Sequence, residues 1–317
     1  MLTRVALFVC LLIGIVHPPV SAATEFSYPM QAQQVADNVF AIITPTREFP
    51  NAQNGGWNSN SAFVVTASGV LLFDTGSSQS IGRALRQTIA RVTDKPVRWI
   101  INSHEHGDHW LGNAAFTDPL PQIYASQTVA DMIRNAGKRW VETFNNMTGG
   151  ITGDSTVVVP NHPVTQALEL NLDGVQVQML LSGGSHSPGD LMLWLPQSRV
   201  LIPGDVVYSD RMPSTGAGDL RQWIETLQTL RALQPAVVIP GHGVVTDDSG
   251  LERLHDLLTA LWQAVEVGIE AGKSDYEMVD EVISALAPYS AHFPGLQDKL
   301  PRDLSHVFLQ VEAAAFR

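Results

Sequence analysis

Ser103-His104-Glu105-His106-Gly107-Asp108-His109-Trp110-Leu111-Gly112-Asn113 is the stretch around which this chain is organised. Between 104 and 109 it holds three imidazoles, His104, His106 and His109, and the carboxylate Asp108. Neutral imidazole and carboxylate are the ligands zinc takes where no thiolate is offered. Side chains alternate along an extended segment, so His104 and His106 are expected on one side, gripping one metal. Gly107 then permits a sharp turn that aims Asp108 and His109 at a second metal. The preceding Val97-Arg98-Trp99-Ile100-Ile101-Asn102 reads as a buried strand, which puts the cluster at a strand's C-terminal end. The competing reading is a polar surface loop rich in histidine by accident. The spacing, directly after an apolar strand, disfavours it.

Working outward, three later residues share that context. His186, Asp205 and His242 each follow an apolar run and lie near glycine, in Gly184-Ser185-His186-Ser187-Pro188-Gly189-Asp190, Pro203-Gly204-Asp205 and Pro240-Gly241-His242-Gly243. Glycine lets the backbone approach a ligand closely, and strand ends hold side chains rigidly. Singly, each is also an ordinary turn or cap residue. Asp74, after the apolar Val70 to Phe73, serves equally well as acceptor for a ligand imidazole or as a turn and helix-capping residue.

Asp74-Thr75-Gly76, His104 to His109, the turn around His186, Gly204-Asp205 and Pro240 to Gly243 stand in an order that resembles the metallo-β-lactamase-fold hydrolase superfamily. The resemblance spans residues 74 to 243. It implies an α/β architecture, an αββα sandwich of two mixed sheets with helices outside. It also implies two zinc ions, the first on His104, His106 and His186, the second on Asp108, His109 and His242, with Asp205 bridging them. Within the superfamily, His109 to Asn113 and Gly204 to Pro213 look closest to exported bacterial members, the zinc hydrolases of sulfur oxidation and quinoprotein relay systems. Asp205 departs from the true β-lactamases, of which one group has Cys there and another lacks a bridging carboxylate. It matches the thioesterase, lactonase and phosphodiesterase branches instead. The basic C-terminal residues that hold glutathione in glyoxalase-type relatives are not apparent.

On that reading a zinc pair shares a water of lowered pKa, and the resulting hydroxide attacks an ester, thioester, lactone, β-lactam or phosphoester bond. Asp108 and Asp205 position it. Tyr208 resembles the tyrosine with which family lactonases donate to the substrate carbonyl; otherwise it is a core or rim aromatic. An iron-dependent persulfide dioxygenase on the same fold is the alternative enzyme, because such enzymes also use His-x-His-x-Asp-His. A non-catalytic accessory protein of a periplasmic redox system is the alternative outside enzymology.

Met1 to Ala23 read as a secretory signal: Arg4, an apolar run from Val5 to Val16, then a small-residue cleavage signal at Val20-Ser21-Ala22, with Ser21-Ala22-Ala23 as the near alternative. Residues 1–22 are therefore expected to be removed. That leaves 23–317 as one domain with C-terminal helices, periplasmic or secreted, with no membrane anchor after cleavage. Cys10 would leave with the signal, which excludes disulfides and thiolate ligands. With 44% apolar and 16% charged residues the chain can build a sizeable core, and a net charge of −12 argues against nucleic acid as a partner. A small-molecule substrate is the partner expected.

Elsewhere the pattern predicts paired strands over 34–44, a hairpin of 61–65 with 70–73, and a helix over 78–92. After these come a strand over 122–125, a helix over 127–144 and a second sheet starting at Val157-Val158-Val159. Strands at 168–172, 175–182, 191–195, 199–202 and 236–239 come next, with helices at 219–233, 249–271, 275–287 and 302–316. Pro45 to Asn60 is polar, with Phe49 and Trp57 as its large apolar groups, and is expected to be a flap over the site. Glu105 is expected to be solvated. His162, His255, His292 and His306 are expected on the surface or in packing, and Trp223 and Trp262 in helix cores.

Overall fold

A computed structural model describes residues 26–315; the signal segment expected at 1–22 lies outside them. The first half of the chain builds a seven-stranded mixed sheet in sequence order. Strands β1 (Gln33–Ala36), β2 (Val39–Ile42), β3 (Ser61–Val65) and β4 (Val70–Phe73) pair antiparallel. Helix α1 (Gln79–Ala90) then leads to β5 (Val97–Ile101), and α2 (Gly107–Trp110) lies between β5 and β6 (Gln122–Ser126). Helix α3 (Gln127–Met147) precedes β7 (His162–Val164), and β5, β6 and β7 join in parallel.

The second half forms a five-stranded sheet in the order β12-β11-β10-β9-β8. It comprises the antiparallel β8 (Leu168–Leu172), β9 (Val175–Leu181), β10 (Leu191–Leu195) and β11 (Val200–Tyr208). After α4 (Leu220–Ala232), β12 (Val237–His242) joins parallel to β11. Helices α5 (Asp248–Glu270), α6 (Val279–Leu286) and α7 (Leu296–Ala315) complete the described chain.

The burial pattern explains the layering. β4 and β10 are buried at every position, as strands covered on both faces must be, whereas β8 at the edge alternates outward Glu169 and Asn171 with inward leucines. One apolar layer, including Ala62, Phe73, Ile101, Met179, Leu193 and Ile202, fills the space between the sheets. A second joins the outer face of the five-stranded sheet to α4, α5, α6 and α7 through Leu227, Leu258, Leu304 and Val307. A third places α1 against the other sheet through Ile81, Leu85, Phe63 and Ile100. The architecture is the expected αββα sandwich of two mixed sheets flanked by helices.

Several expectations change. Val157-Val158-Val159 is not a strand; its apolar groups pack, but the Val158 carbonyl accepts from the Asn113 side chain rather than from a ladder. The next strand is β7, and it extends the first sheet. β11 does not stop before Pro203 but runs through Gly204-Asp205 to Tyr208. α7 begins at Leu296 and carries Pro301 inside it, because the buried stripe Leu296, Leu300, Leu304, Val307, Val311 continues past the exposed proline.

The flap expectation fails for Trp57. Its side chain is 5% exposed, packs in the α1 layer, and its indole N–H donates to the Ser59 carbonyl at 3.1 Å. The loop's polarity misleads because Asn51 and Asn54 use their amides on the loop's own backbone, at Gln53, Asn54, Asn51 and Gly56. Phe49 does stand out, 42% exposed.

Candidate metal centre

All seven residues expected to hold metal meet where the loops after both sheets converge. β5 ends at Ile101, and Asn102 and Ser103 anchor the start of the histidine stretch. The Asn102 amide donates to the His109 carbonyl and to Asn113 Oδ1, and Ser103 donates its N–H and hydroxyl to Asp74 at 2.8 and 2.7 Å. Gly107 opens a single helical turn, α2, rather than a sharp turn of unusual backbone. Its need is for space, since a Cβ there would stand 2.9 Å from Leu111 and from Phe144. That turn puts Asp108 and His109 beside His104, whose ring centroid lies 4.3 Å from that of His109. On the other sheet, Asp205 lies mid-strand in β11, and the parallel pairing of Tyr208 with His242 brings the end of β12 alongside. Gly241 must be glycine, because a Cβ would come within 2.0 Å of Asp205 Oδ1. His186 sits in a turn closed by Asp190, whose carboxylate accepts from the backbone N–H groups of His186 and Ser187 and from the hydroxyls of Ser182 and Ser187.

Donor atoms of His104, His106, His186 and Asp205 form one group within 4.8 Å, and those of Asp108, His109 and His242 a second. Asp205 faces both. Its Oδ2 lies 3.7 Å from His104 Nε2, 3.5 Å from His186 Nε2 and 3.1 Å from His242 Nε2, and its Oδ1 lies 3.3 Å from His109 Nε2. Asp108 Oδ2 is 3.6 Å from Nε2 of both His109 and His242.

These residues fit a pair of cations. Each of the five imidazoles turns one nitrogen inward, and His109 Nε2 and Asp205 Oδ1 are buried with no hydrogen-bond partner. Three ligand rings are held from behind: His109 Nδ1 by Asp74 Oδ2 at 2.7 Å, His104 Nδ1 by the Ser103 hydroxyl at 2.9 Å, and His242 Nδ1 by the Asn58 carbonyl at 2.8 Å. Such partners fix tautomer and orientation at metal-bound histidines. Asp74 is thus a histidine partner, and the helix cap beside it is Ser78.

Charge points the same way. Burial holds His104 well below the ordinary histidine range and brings His186 down to about 3, so both are neutral donors. Burial would also discharge His109, yet Asp205, Asp108 and Asp74 together push it up to about 10. Burial opposes ionisation of Asp205 too, and His242, His109 and His104 outweigh it, keeping the carboxylate charged. The carboxylates of the cluster therefore favour positive charge at its centre, which a proton on His109 or bound metal ions would supply.

Tyr208 is 4% exposed and donates its hydroxyl to Asp205 Oδ2 at 2.5 Å. Its proton is engaged by that carboxylate, where the sequence reading placed a substrate carbonyl. Glu105 is 6% exposed rather than solvated, because Trp110 and the His106 ring enclose it; the Trp110 indole donates to its carbonyl. Trp223 is core, as expected, and its ring also meets His186 edge-on at 5.4 Å.

Sequence reading missed residues 58–60. Asn58 holds His242, the Ser59 hydroxyl donates to the Asp108 carbonyl at 2.6 Å, and the Asn60 amide donates to the carbonyls of Pro240 and Gly243. The signal was available: three polar residues directly before a buried strand need partners. The centre lies at the floor of a cleft of about 270 Å³. Trp140, Phe144 and Met147 of α3 form one wall, and Phe49, Arg211 and Lys299 stand on the others.

The sequence profile of the metallo-beta-lactamase superfamily matches residues 54–242. A linear primary-alkylsulfatase from a Pseudomonas species is 28% identical over 231 residues, 62% of this chain but only 43% of that protein. A type 2 metallo-beta-lactamase from Bacteroides fragilis is 25% identical over 252 residues, 77% of this chain and 90% of that one. The solved structure of a metallo-beta-lactamase from Pontibacter korlensis superposes with a TM-score of 0.60 at 21% identity, covering 73% of this chain and 99% of the other. The match over residues 54–242, which takes in the whole histidine and aspartate cluster, establishes that this chain belongs to the metallo-beta-lactamase superfamily.

Proposed function

We propose that this protein is a dinuclear zinc hydrolase acting on an ester-class bond of a small molecule. The observation that carries the reading is the position of Asp205, within 3.1–3.7 Å of inward-facing nitrogens from both ligand groups. A carboxylate so placed belongs between two cations. His104, His106 and His186 would hold one, and Asp108, His109 and His242 the other. Zinc suits a ligand set of imidazole and carboxylate without thiolate. Bound there, such a pair would supply Lewis acidity and an acidified water as nucleophile.

The chain's own groups do the rest. Asp74 and Asn58 keep His109 and His242 in the tautomer that turns Nε2 inward. Tyr208 holds Asp205 in place through its hydroxyl proton. The Ser59 hydroxyl fixes the backbone at Asp108, so that its carboxylate stays aimed at the floor of the cleft. Trp140 stands edge-on to His106 at 5.4 Å and packs against that ring.

The named activities of the relatives, a β-lactamase and an alkylsulfatase, make β-lactams and sulfate esters members of the panel to be tried beside carboxylic esters, thioesters, lactones and phosphodiesters. Elemental analysis of purified protein should find zinc approaching two per chain. Stoichiometric iron with dioxygen uptake on a persulfide would replace this reading with the oxidoreductase one. Asp205→Ala should lower turnover by orders of magnitude and weaken retention of the metals while the fold persists; unchanged zinc and unchanged rate would refute the bridging role. Export is part of the same reading, and N-terminal sequencing of protein from fractionated cells should begin near Ala23. Among the described residues no helix is long and apolar enough to cross a membrane.

A further inference from the structure

The cleft beside the metal ligands is lined by cations that form no ion pair with a carboxylate among the described residues. Arg211 lies just beyond the end of β11, is 3% exposed, and lines the cleft. Its Nε has no partner, and its Nη1 reaches the Asn58 carbonyl only at 3.5 Å. Nη1 also lies 3.0 Å from His242 Nδ1. That nitrogen, however, needs its own proton to donate to Asn58, at 2.8 Å, whenever Nε2 faces the metal position. Two donors then face each other, and His242 contributes nothing to the guanidinium.

Lys299, from the first turns of α7, lines the same cleft and donates only to the Met212 carbonyl, at 3.1 Å. Neither forms an ion pair with a carboxylate among the described residues, and the nearby Asp303 spends its Oδ2 on Ser214 and Thr215. Both cations, with Arg302, crowd one exposed ring: Phe49 has Arg211 Cζ at 5.5 Å, Lys299 Nζ at 5.3 Å and Arg302 Cζ at 5.7 Å from its centroid. Burial, and then Arg211, draws Lys299 down to about 7. In a chain of net charge −12, gathering three cations on one ring without an ion pair leaves a place for the counter-charge of a ligand.

We infer that Arg211 and Lys299 form an anion subsite beside the metal centre, and that the substrate is an amphiphilic anion whose apolar body lies along Trp140, Phe144 and Met147. Arg presents a planar fork and Lys a point charge, and both suit a sulfate or carboxylate headgroup. The apolar wall and the cationic wall face one cleft, so a molecule spanning it needs one charged end and one greasy end. The inference rests on the hydrolytic reading only for what happens to that molecule after it binds.

Lys299 carries the test, since an Arg211 substitution would disturb His242. Calorimetry on zinc-loaded protein with octanesulfonate, which offers no bond to hydrolyse, should give saturable binding. In Lys299→Gln the affinity should drop about tenfold or more, and Lys299→Arg should restore it, as loss of one charge-assisted contact requires. Octanol should bind wild type and Lys299→Gln alike. No binding of octanesulfonate, or equal binding to wild type and Lys299→Gln, overturns the subsite. Turnover separates the two sources of the anion: octyl sulfate carries it in the scissile group, whereas the 4-nitrophenyl monoester of adipic acid carries it at the far end. Lys299→Gln should lower kcat/KM for whichever is accepted, and for the adipate monoester, whose charge lies away from the scissile bond, chiefly through KM. If octanesulfonate binds in a Lys299-dependent way and nothing is hydrolysed, the subsite stands and the hydrolase reading falls.

Discussion

Asp74 shows how much of this centre is decided one atom behind the ligands. It is 1% exposed and accepts three hydrogen bonds, from His109 Nδ1, from the Ser103 N–H and from the Ser103 hydroxyl. Burial raises its pKa, against His109 and these hydrogen bonds, which lower it. Asp74→Asn keeps the shape but must present an amide N–H₂ to at least one group that donates. Metal affinity at the His109 site should fall by roughly 10–100-fold, as it does where such partners are removed. Competition against a chromophoric chelator reads this directly, and an affinity within twofold of wild type would make Asp74 a structural residue only. Lys299 gives a second residue-scale prediction, with a sign. Burial and the neighbouring Arg211 and Arg302 lower it to about 7, while Asp303 and Asp205 pull the other way. Below that pH the ammonium is charged and attracts an anion; above it the amine is neutral. Affinity for octanesulfonate should therefore decline as pH rises, by up to about tenfold between roughly pH 6 and 8. In Lys299→Arg, which stays charged, that component should vanish. An identical pH profile in the two proteins would assign the dependence to other groups.

At the scale of elements, the loop from Pro45 to Asn60 is part of the wall rather than a cover. Trp57 fills the layer between α1 and the first sheet, and residues 58–60 reach from there to His242, Asp108 and Pro240. Trp57→Ala should cost about 3–5 kcal/mol, the usual range for a buried aromatic truncated to Ala. Urea denaturation would show it as a lower midpoint; an unchanged midpoint with altered KM would restore the flap. Elements whose signals were local could be read from the chain. The hairpin of β3 and β4, the Asp173-Gly174 turn between β8 and β9, and the histidine stretch after β5 needed only alternation, turn chemistry and ligand spacing. What escaped depends on partners distant in sequence. Val157 to Val159 are as apolar as a strand, yet Asn113 takes the Val158 carbonyl. Proline and glycine at 203–204 suggest an end, yet β11 continues because β12 pairs beside it. Pro301 suggests a helix start, which hid Lys299 in the turns before it. The seven candidate ligands were legible because each lies within two residues of a glycine or shortly after an apolar run. Arg211 was not, since an unpaired guanidinium becomes visible only when its surroundings are known.

The whole molecule is two halves joined at their loops. His104, His106, Asp108 and His109 come from the seven-stranded side, and His186, Asp205 and His242 from the five-stranded side. Each ligand group draws on both halves, so a cation held there would tie one sheet to the other as well as complete the site. The apolar layer between the sheets holds the halves together in any case, with Phe73, Ile101, Met179 and Ile202 buried in it. Removing metal should therefore loosen the molecule without unfolding it. It leaves Asp108 and Asp205 close together among buried imidazoles, with His109 as the group best placed to take up charge. Ligand binding to the folded state alone stabilises it by about 4 kcal/mol per site at a thousandfold excess over Kd. Chelation should thus lower Tm by several degrees or more, reversibly, and zinc should restore it with a break near two equivalents. The increment should shrink in His186→Ala, which removes a ligand from the five-stranded half, and in His104→Ala, which removes one from the other. If scanning calorimetry finds the same Tm with and without metal, cations do not bridge the halves, and the cluster's charge is balanced by protons alone.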